Sequence, residues 1–138
     1  MTERYFLDTN VLLYADDLDA GEKRLKAQAI LREAILSHDG LLSTQVLQEF
    51  FVVATRKLGV KPPIARRKVA LLAVLDVVEI NLGIILDAID LHQVHSLSFW
   101  DALVIRCAAT AGCTKLLTED MQHGQVIDGV RIENPFLS

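Results

Sequence analysis

Several patterns that would point to other classes of protein are missing from this chain of 138 residues. It contains no run of about 18 apolar residues, so no membrane-spanning helix is expected. Only two cysteines are present, Cys107 and Cys113, and they form neither a CxxC pair nor a zinc-type spacing. The four histidines are scattered and form no HExxH pair. Zinc chemistry is therefore disfavoured, and the low cysteine count agrees with a cytoplasmic protein.

Motifs for nucleotide cofactors and for secretion are absent as well. Neither a P-loop nor a GxGxxG phrase occurs, which argues against an enzyme that uses a nucleotide cofactor. The opening Met1-Thr2-Glu3-Arg4 has no signal-peptide pattern, so we expect a cytoplasmic location and no membrane partner.

The chain has no overall excess of positive charge. Its net charge is −4, which argues against nucleic-acid binding through a globally basic surface. Lys and Arg nevertheless cluster in two segments, residues 23–32 and 56–68. These clusters are either two solvated helix faces or a rim that holds phosphates around an acidic pocket, and charge alone does not separate the two interpretations.

Short apolar runs alternate with longer segments of helical periodicity. Five strands are predicted, at residues 5–7, 40–43, 77–80, 114–117 and 130–132. Apolar strands separated by helices predict the α/β class, with a parallel sheet that is covered on both faces. Hydrophobic residues make up 51% of the chain, which excludes disorder, and the length predicts one domain. Trp100 and Cys107 begin and continue one apolar stripe, so both are predicted to lie in the core.

Four acidic residues, Asp8, Glu49, Asp101 and Asp120, stand where apolar segments end or helices turn. Asp8 follows the first predicted strand and Asp120 the fourth, and sites in parallel sheets lie at the carboxyl ends of strands. Two carboxylates about 4 Å apart repel each other by roughly 4 kcal/mol at an effective dielectric near 20. A hard divalent cation is the simplest group that balances such repulsion. The four acids therefore indicate a metal-dependent hydrolase.

Three of these acids also have a purely structural explanation. Asp8 stands where a helix N-cap is expected. Asp101 stands three residues after Ser98, in the spacing of a capping box. Asp120 can belong to a polar turn, and the neighbouring Glu119 is an alternative fourth acid.

Glu49 is harder to explain structurally. It lies at the border of an apolar helical stripe, and no cation stands three or four residues away from it. A half-buried carboxylate without a local partner requires a distant one, such as a metal ion or an Arg. Four further polar residues either support the acids or cap helices: Thr9, Asn10, Ser43 and Thr118.

The four acids and the residues around them, in their order along the chain, resemble the PIN-domain nucleases. The resemblance is strongest to the VapC-type ribonuclease toxins of bacterial and archaeal toxin–antitoxin modules. A Glu in the helix after the second strand belongs to the pattern, and three phrases complete it: Phe6-Leu7-Asp8-Thr9-Asn10, Ser98-Phe99-Trp100-Asp101-Ala102 and Leu117-Thr118-Glu119-Asp120. The resemblance covers essentially the whole chain. It implies a three-layer α/β/α sandwich around a five-stranded parallel sheet, formed by a single PIN domain over residues 1–138.

Carried onto this sequence, the resemblance implies that Asp8, Glu49, Asp101 and Asp120 are the catalytic acids, here called the acidic quartet. Asp8 and Asp101 would hold Mg²⁺ or Mn²⁺, and the other two would complete the site. Two further positions match polar residues of the family: Asn10 and Thr118. Many relatives have a further Asp or Asn before a Phe after the last acid, whereas this chain continues with residues 121–124, which read Met-Gln-His-Gly. Glu119 therefore remains the alternative for the fourth ligand.

The activity implied is metal-assisted endoribonuclease cleavage of RNA that leaves 5′-phosphate and 3′-hydroxyl ends. The implied partners are an RNA substrate, a protein antitoxin and a second copy of the chain in a homodimer. Two alternatives stay open: a non-toxin PIN nuclease that acts on other RNA or on DNA, and an inactive PIN-like binding module. A receiver domain would need an Asp after the third strand, and a haloacid-dehalogenase-like phosphatase would need an acid in place of Asn10, so both are disfavoured.

Overall fold

A computed structural model of the chain describes residues 3–137. Its strands are β1 (Tyr5–Leu7), β2 (Gly40–Ser43), β3 (Asp76–Val78), β4 (Lys115–Leu117), β5 (Val126–Ile127) and β6 (Val130–Glu133). Its helices are α1 (Thr9–Asp16), α2 (Glu22–Ser37), α3 (Thr44–Arg56), α4 (Pro62–Leu72), α5 (Leu82–Val94) and α6 (Phe99–Thr110). No helix within this range is long and apolar enough to cross a membrane.

The six strands form one sheet in the order β3-β2-β1-β4-β6-β5. All neighbours pair in parallel except β5, which pairs antiparallel with β6. The predicted α/β fold is confirmed, and the five predicted strands are all present. The edge strand β5 is additional. It returns through Asp128 and Gly129, whose φ angles of 55° and 78° are those of a tight hairpin turn.

Strand β1 lies in the middle of the sheet between β2 and β4, so its carboxyl end meets theirs. Helices α1 and α3 begin directly after β1 and β2. Their N-caps are Asp8 and Ser43, whose side chains accept hydrogen bonds from Thr9 N and Val46 N. The carboxyl ends of the strands, here called the polar edge of the sheet, therefore bring together helix N-termini and the polar residues that cap them.

Helix α6 lies against the sheet, and its apolar stripe is buried as predicted except at the N-terminal end of the helix. Cys107 is fully buried as predicted, and burial raises the pKa of its thiol to about 11. Trp100, in contrast, is 62% exposed, so its predicted core position is wrong. It is the second residue of the helix, and helical side chains lean toward the N-terminus, so its indole projects beyond the packed layer. There its ring and the ring of Phe99 are arranged edge to face, with centroids 5.1 Å apart.

Candidate active site

Asp8 is the buried centre of the polar edge. Strand pairing aligns Leu7 with Leu117, so the residues that follow β1 and β4 meet. Asp8 Oδ1 accepts the backbone N–H of Thr9 at 2.8 Å, and Asp8 Oδ2 accepts the hydroxyl of Thr118 at 2.9 Å. Its side chain has no cationic partner within residues 3–137, although only 7% of the residue is exposed.

Burial raises the pKa of Asp8 to about 6 from an ordinary value of 3.8. The two hydrogen bonds, from Thr9 and Thr118, favour the carboxylate and limit this rise, whereas the charges of Glu49 and Asp120 add to it. Asp8 is therefore an N-cap whose charged form is held at a substantial cost. Capping alone does not require this, because an N-cap is normally solvated and can equally be Ser or Asn.

Glu49 reaches the same place from α3. Its carboxylate is half-buried and accepts the Thr9 hydroxyl at 2.9 Å and the Gln45 side-chain amide at 2.7 Å. Thr9 thus donates its backbone N–H to Asp8 and its hydroxyl to Glu49. Gln45 stands four residues before Glu49, a spacing that brings side chains together on a helix. Glu49 therefore has a neutral local partner, although no cation stands three or four residues away from it.

Asp120 lies on the loop after β4, and Asn10 of α1 forms hydrogen bonds with this loop. The Asn10 amide nitrogen donates to Thr118 Oγ1 at 2.9 Å and to Asp120 Oδ2 at 3.2 Å. Its carbonyl oxygen accepts the backbone N–H of Glu119 at 3.3 Å. The Thr118 hydroxyl oxygen also accepts the backbone N–H of Asp120 at 3.1 Å, while its proton goes to Asp8. The Asn10 amide and the Thr118 hydroxyl therefore fix the position of Asp120 relative to Asp8.

Asp101 approaches from the first turn of α6. Its backbone N–H donates to Ser98 Oγ at 3.0 Å, so Ser98 caps the helix as its spacing predicts. Burial raises the pKa of the Asp101 carboxyl, a hydrogen bond with Ser98 opposes the rise, and the charges of Asp120 and Glu49 add to it. The charges of Glu49 and Asp120 therefore raise the pKa values of both Asp8 and Asp101.

Two of the alternative site residues have other partners. Ser43 is fully buried and caps α3 through Val46 N at 3.3 Å, and it has no bond to the quartet within the described chain. Glu119 points away from Asp120: it accepts the Tyr14 hydroxyl and pairs with Lys23 Nζ at 3.0 Å. No local pattern in the sequence predicts Tyr14 and Lys23, because their contacts with Glu119 span 105 and 96 positions.

The donor atoms of the quartet suit a hard divalent cation. All are carboxylate oxygens, and none of the four acids forms an ion pair with a Lys, Arg or His among residues 3–137. Over the same range, no group of three or more His, Cys, Asp or Glu side chains stands ready to hold a metal ion. A cation would therefore take one or two carboxylates and complete its shell with water or substrate oxygens, which is the usual mode of Mg²⁺.

An apolar groove adjoins the acids. A hollow of about 460 Å³ next to Glu49 is lined by Gln45, Gln48, Glu49, Val52, Val53 and Trp100. A second hollow, of about 360 Å³, is lined by Leu47, Gln48, Phe51, Val52, Arg66 and Val69. The two share Gln48 and Val52, so they form one surface along α3, here called the α3 groove.

The sequence of residues 5–127 matches the model of the family described as the PIN domain. The chain belongs to the PIN-domain family. The match includes β1 through β5 and all four acids of the quartet. No curated protein matches the chain in sequence.

Solved structures similar to this PIN domain come from toxin–antitoxin systems. A chain of a toxin–antitoxin complex from Klebsiella pneumoniae is 22% identical, with a TM-score of 0.68 over 96% of this chain and 98% of its own. A chain of DNA-bound VapBC from Salmonella typhimurium is 17% identical, with a TM-score of 0.69 over 97% and 99%. VapC20 of Mycobacterium tuberculosis, described as a sarcin–ricin loop cleaving toxin, is 19% identical, with a TM-score of 0.62 over 81% and 86%. At these identities the likeness shows a shared fold.

Proposed function

We propose that this PIN domain, extending over residues 1–138, is a metal-dependent endoribonuclease and the toxin of a type II toxin–antitoxin pair. The observation that carries the proposal is the acidic quartet. Burial and the charges of Glu49 and Asp120 raise the pKa values of both Asp8 and Asp101. A fold that brings four carboxylates together without a protein cation is destabilised by their repulsion, and a bound divalent cation removes that cost.

Asp8 and Asp101 are the proposed ligands of Mg²⁺ or Mn²⁺. A bound cation would lower the pKa of a nearby water and neutralise negative charge on the phosphate that is attacked. Thr118 holds the orientation of Asp8 through its hydroxyl, and Ser98 fixes the first turn of α6 and with it Asp101. Both proposed ligands thus start from rigid strand or helix ends, which limits the reorganisation needed during the reaction.

Glu49 and Asp120 complete the negative pocket. Thr9 and Gln45 orient Glu49, and Asn10 orients Asp120. In this proposal, one of these carboxylates accepts the proton of the attacking water. Water attacks phosphorus, the P–O3′ bond breaks and the 3′ oxygen takes up a proton, so the products carry 5′-phosphate and 3′-hydroxyl ends.

RNA is proposed as the substrate for two reasons. The similar VapC20 is described as a toxin that cleaves the sarcin–ricin loop, which is RNA. The chain has a net charge of −4, so strong nonspecific binding of long duplexes is not expected, and a folded or single-stranded RNA loop is the proposed form of the substrate.

A protein antitoxin is the proposed partner, and the α3 groove is its proposed binding surface. Trp100 is 62% exposed and Val52 is 44% exposed on its apolar wall, and Glu49 at its edge has no cationic partner in the described chain. An antitoxin segment with apolar side chains and an Arg or Lys would cover the groove and reach the acids. Similar chains are found in toxin–antitoxin complexes from Klebsiella pneumoniae and Salmonella typhimurium.

A homodimer is also proposed. Helix α5 exposes large apolar side chains along its length: Leu82, Leu86, Ile89 and Val94. An apolar helix face of this kind is typical of an interface between copies of a chain. Sedimentation of the antitoxin-free protein tests the assembly.

The test of the function is RNA cleavage by purified, antitoxin-free protein with Mg²⁺, with Mn²⁺ and with EDTA. Asp8→Asn and Asp101→Asn are the test variants, and Asp19→Asn is the matched control because Asp19 is an exposed acid in the loop between α1 and α2. Cleavage that needs metal, is lost in both test variants and persists in the control supports the proposal. Metal-dependent cleavage of DNA alone would identify a different nuclease. No cleavage of any RNA, together with no metal binding, would identify an inactive binding module.

A further inference from the structure

Glu119 is next to Asp120 in the sequence, and its negative charge is balanced by a lysine of the same chain. Its two carboxylate oxygens have separate partners: one accepts the Tyr14 hydroxyl, and the other pairs with Lys23 Nζ at 3.0 Å. Lys23 Nζ also lies 3.4 Å from the Tyr14 hydroxyl oxygen, so the three groups contact one another. Because both oxygens of Glu119 are engaged and its charge is paired, it adds no free negative charge to the pocket.

The partners of Glu119 belong to the same support that holds Asp120. Tyr14 stands one helical turn after Asn10 on α1, so the two side chains lie on one face of that helix. The Asn10 side chain donates to the Asp120 carboxylate and accepts the backbone N–H of Glu119. The Tyr14 hydroxyl donates to the side chain of Glu119. One face of α1 therefore holds consecutive residues of the loop after β4.

Two more parts of the chain hold Tyr14 in place. Its ring meets Phe136 edge-on at 5.0 Å between centroids, and Lys23 Nζ lies 4.9 Å from its ring centroid. Phe136 is 8% exposed, so the C-terminal segment is fixed beneath the ring. Helix α1, helix α2 and the C-terminal segment thus converge on the side chain of Glu119.

Asp120 needs such a support. It is exposed, it lies on a loop, and its charge repels the buried Asp8 and the half-buried Asp101. Asp8 stands directly between β1 and α1, and Glu49 and Asp101 are on helices, whereas Asp120 lies on a loop beyond the end of β4. The loop would therefore relax outward under the repulsion unless other contacts held it.

We propose that Tyr14 and Lys23 are positioning residues for Asp120, and that they act through Glu119. This inference rests on the proposed nuclease function for its kinetic consequence, but its structural part can be tested without any activity. It assigns Glu119 the role of an anchor, and it leaves Asp120 as the fourth acid of the pocket. It also assigns Lys23 to the enzyme's own loop, although a lysine at this place is otherwise a natural contact for an RNA phosphate.

The first test measures backbone amide exchange by NMR in the metal-free protein. Tyr14→Phe removes only the hydroxyl and keeps the ring on Phe136, and Lys23→Met keeps most of the aliphatic stem. The amides of Glu119 and Asp120 are expected to exchange about 5- to 10-fold faster in each variant, because a hydrogen bond or ion pair that closes the loop is lost. Lys23→Arg retains the pair and is expected to restore slow exchange.

Lys115→Met is the matched control. Lys115 lies at the opposite end of β4, pairs with Glu133 at 3.8 Å and lies 5.7 Å from the ring centroid of Tyr5. The variant therefore removes a comparable lysine–glutamate pair beside a tyrosine ring, at the far end of β4 from residues 119 and 120. Amide exchange at residues 119 and 120 should stay within about 2-fold of the unmodified protein, as expected for a distant site. Unchanged exchange in both Tyr14→Phe and Lys23→Met would overturn the proposal.

The second test separates positioning from substrate contact. If Tyr14 and Lys23 act through Glu119, both variants should lower kcat by about 3- to 10-fold with little change in KM, and the two effects should be non-additive in the double variant. A raised KM in Lys23→Met, with Tyr14→Phe like the unmodified enzyme, would make Lys23 a phosphate contact and overturn the proposal. If the unmodified protein cleaves no RNA, the nuclease proposal fails, and the exchange measurement still decides the role of the anchor.

Discussion

The hydroxyl of Thr118 donates to Asp8 Oδ2 at 2.9 Å and joins two residues that stand 110 positions apart. This bond exists because β1 and β4 are adjacent parallel strands whose carboxyl ends meet. It also stabilises the charged form of a carboxyl whose pKa burial raises to about 6. Thr118 therefore couples the fold of the sheet to the protonation state of the central acid.

Thr118→Val is expected to shift the pH dependence of cleavage. Valine has the shape of threonine but cannot donate to Asp8, so the pKa of Asp8 rises further, and the acid limb of the kcat/KM profile should move up by about one pH unit. Thr55→Val is the control, because Thr55 is on α3 and its hydroxyl bonds to the carbonyl of Phe51, one helical turn earlier. An unchanged acid limb in Thr118→Val would mean that Asp8 does not set it.

Asp8→Asn is expected to stabilise the metal-free protein at neutral pH. The folded-state pKa of Asp8, about 6, lies above its ordinary value of 3.8, so the folded protein binds this proton more tightly than the unfolded chain does. The cost of the charge therefore appears as pH rises from about 4 to about 6 and is complete above that range. The variant should be more stable than the unmodified protein by roughly 1–3 kcal/mol at pH 7.5, with no advantage below pH 4.

Urea denaturation in EDTA at several pH values measures this difference. Asp19→Asn, in the loop between α1 and α2, is the control, and its effect should be small at every pH. A destabilised Asp8→Asn protein at pH 7.5 would mean that its hydrogen bonds to Thr9 and Thr118 outweigh the cost of the buried charge.

Local patterns in the sequence were sufficient to predict most of the fold. The predicted bounds of β1 and β2 agree with the structure because each is a short apolar run with clear polar ends. The Asp128-Gly129 turn of the additional hairpin is a recognised signal, but the two-residue strand before it is too short to show an alternating pattern. Trp100 fits the periodic stripe of α6, and periodicity does not reveal where the packed layer beneath a helix ends.

The site was predictable only in part, for a related reason. Asp8 and Asp120, which follow β1 and β4, are expected to lie close together once the sheet is known to be parallel. In a parallel sheet the carboxyl ends of all strands lie on the same side. The choice between Glu119 and Asp120 depends on which way two neighbouring loop side chains point. That direction is set by Tyr14 and Lys23, which are distant in sequence and carry no motif. Long-range polar contacts of this kind become visible only in the folded chain.

Asp101→Asn is expected to abolish cleavage and leave the fold intact. Ser98 caps α6 through its own hydroxyl, so the helix keeps its cap when the carboxylate is replaced by an amide of the same shape. The thermal transition should stay cooperative, with a midpoint near that of the unmodified protein. The loss of a proposed metal ligand should reduce kcat by at least about 100-fold. Normal cleavage by this variant would make Asp101 a residue of the first helical turn and nothing more.

Glu49→Gln is expected to be neutral or stabilising in EDTA and to lose stabilisation by Mn²⁺. In the absence of metal, the substitution removes a charge that raises the pKa values of Asp8 and Asp101, and within residues 3–137 no ion pair is broken by it. At a Mn²⁺ concentration 100 times the dissociation constant, the unmodified protein should gain about 2.7 kcal/mol.

Thermal unfolding with and without Mn²⁺ separates the two contributions of Glu49. Glu79→Gln is the control, because Glu79 is exposed and lies just after β3; its metal response should equal that of the unmodified protein. If Glu49→Gln retained the full Mn²⁺ response, Glu49 would lie outside the metal site and its negative charge would act only at a distance. A strong loss of stability in EDTA would instead show that the bonds from Thr9 and Gln45 outweigh the relief of repulsion, because those donors would then lack a charged acceptor in the half-buried pocket.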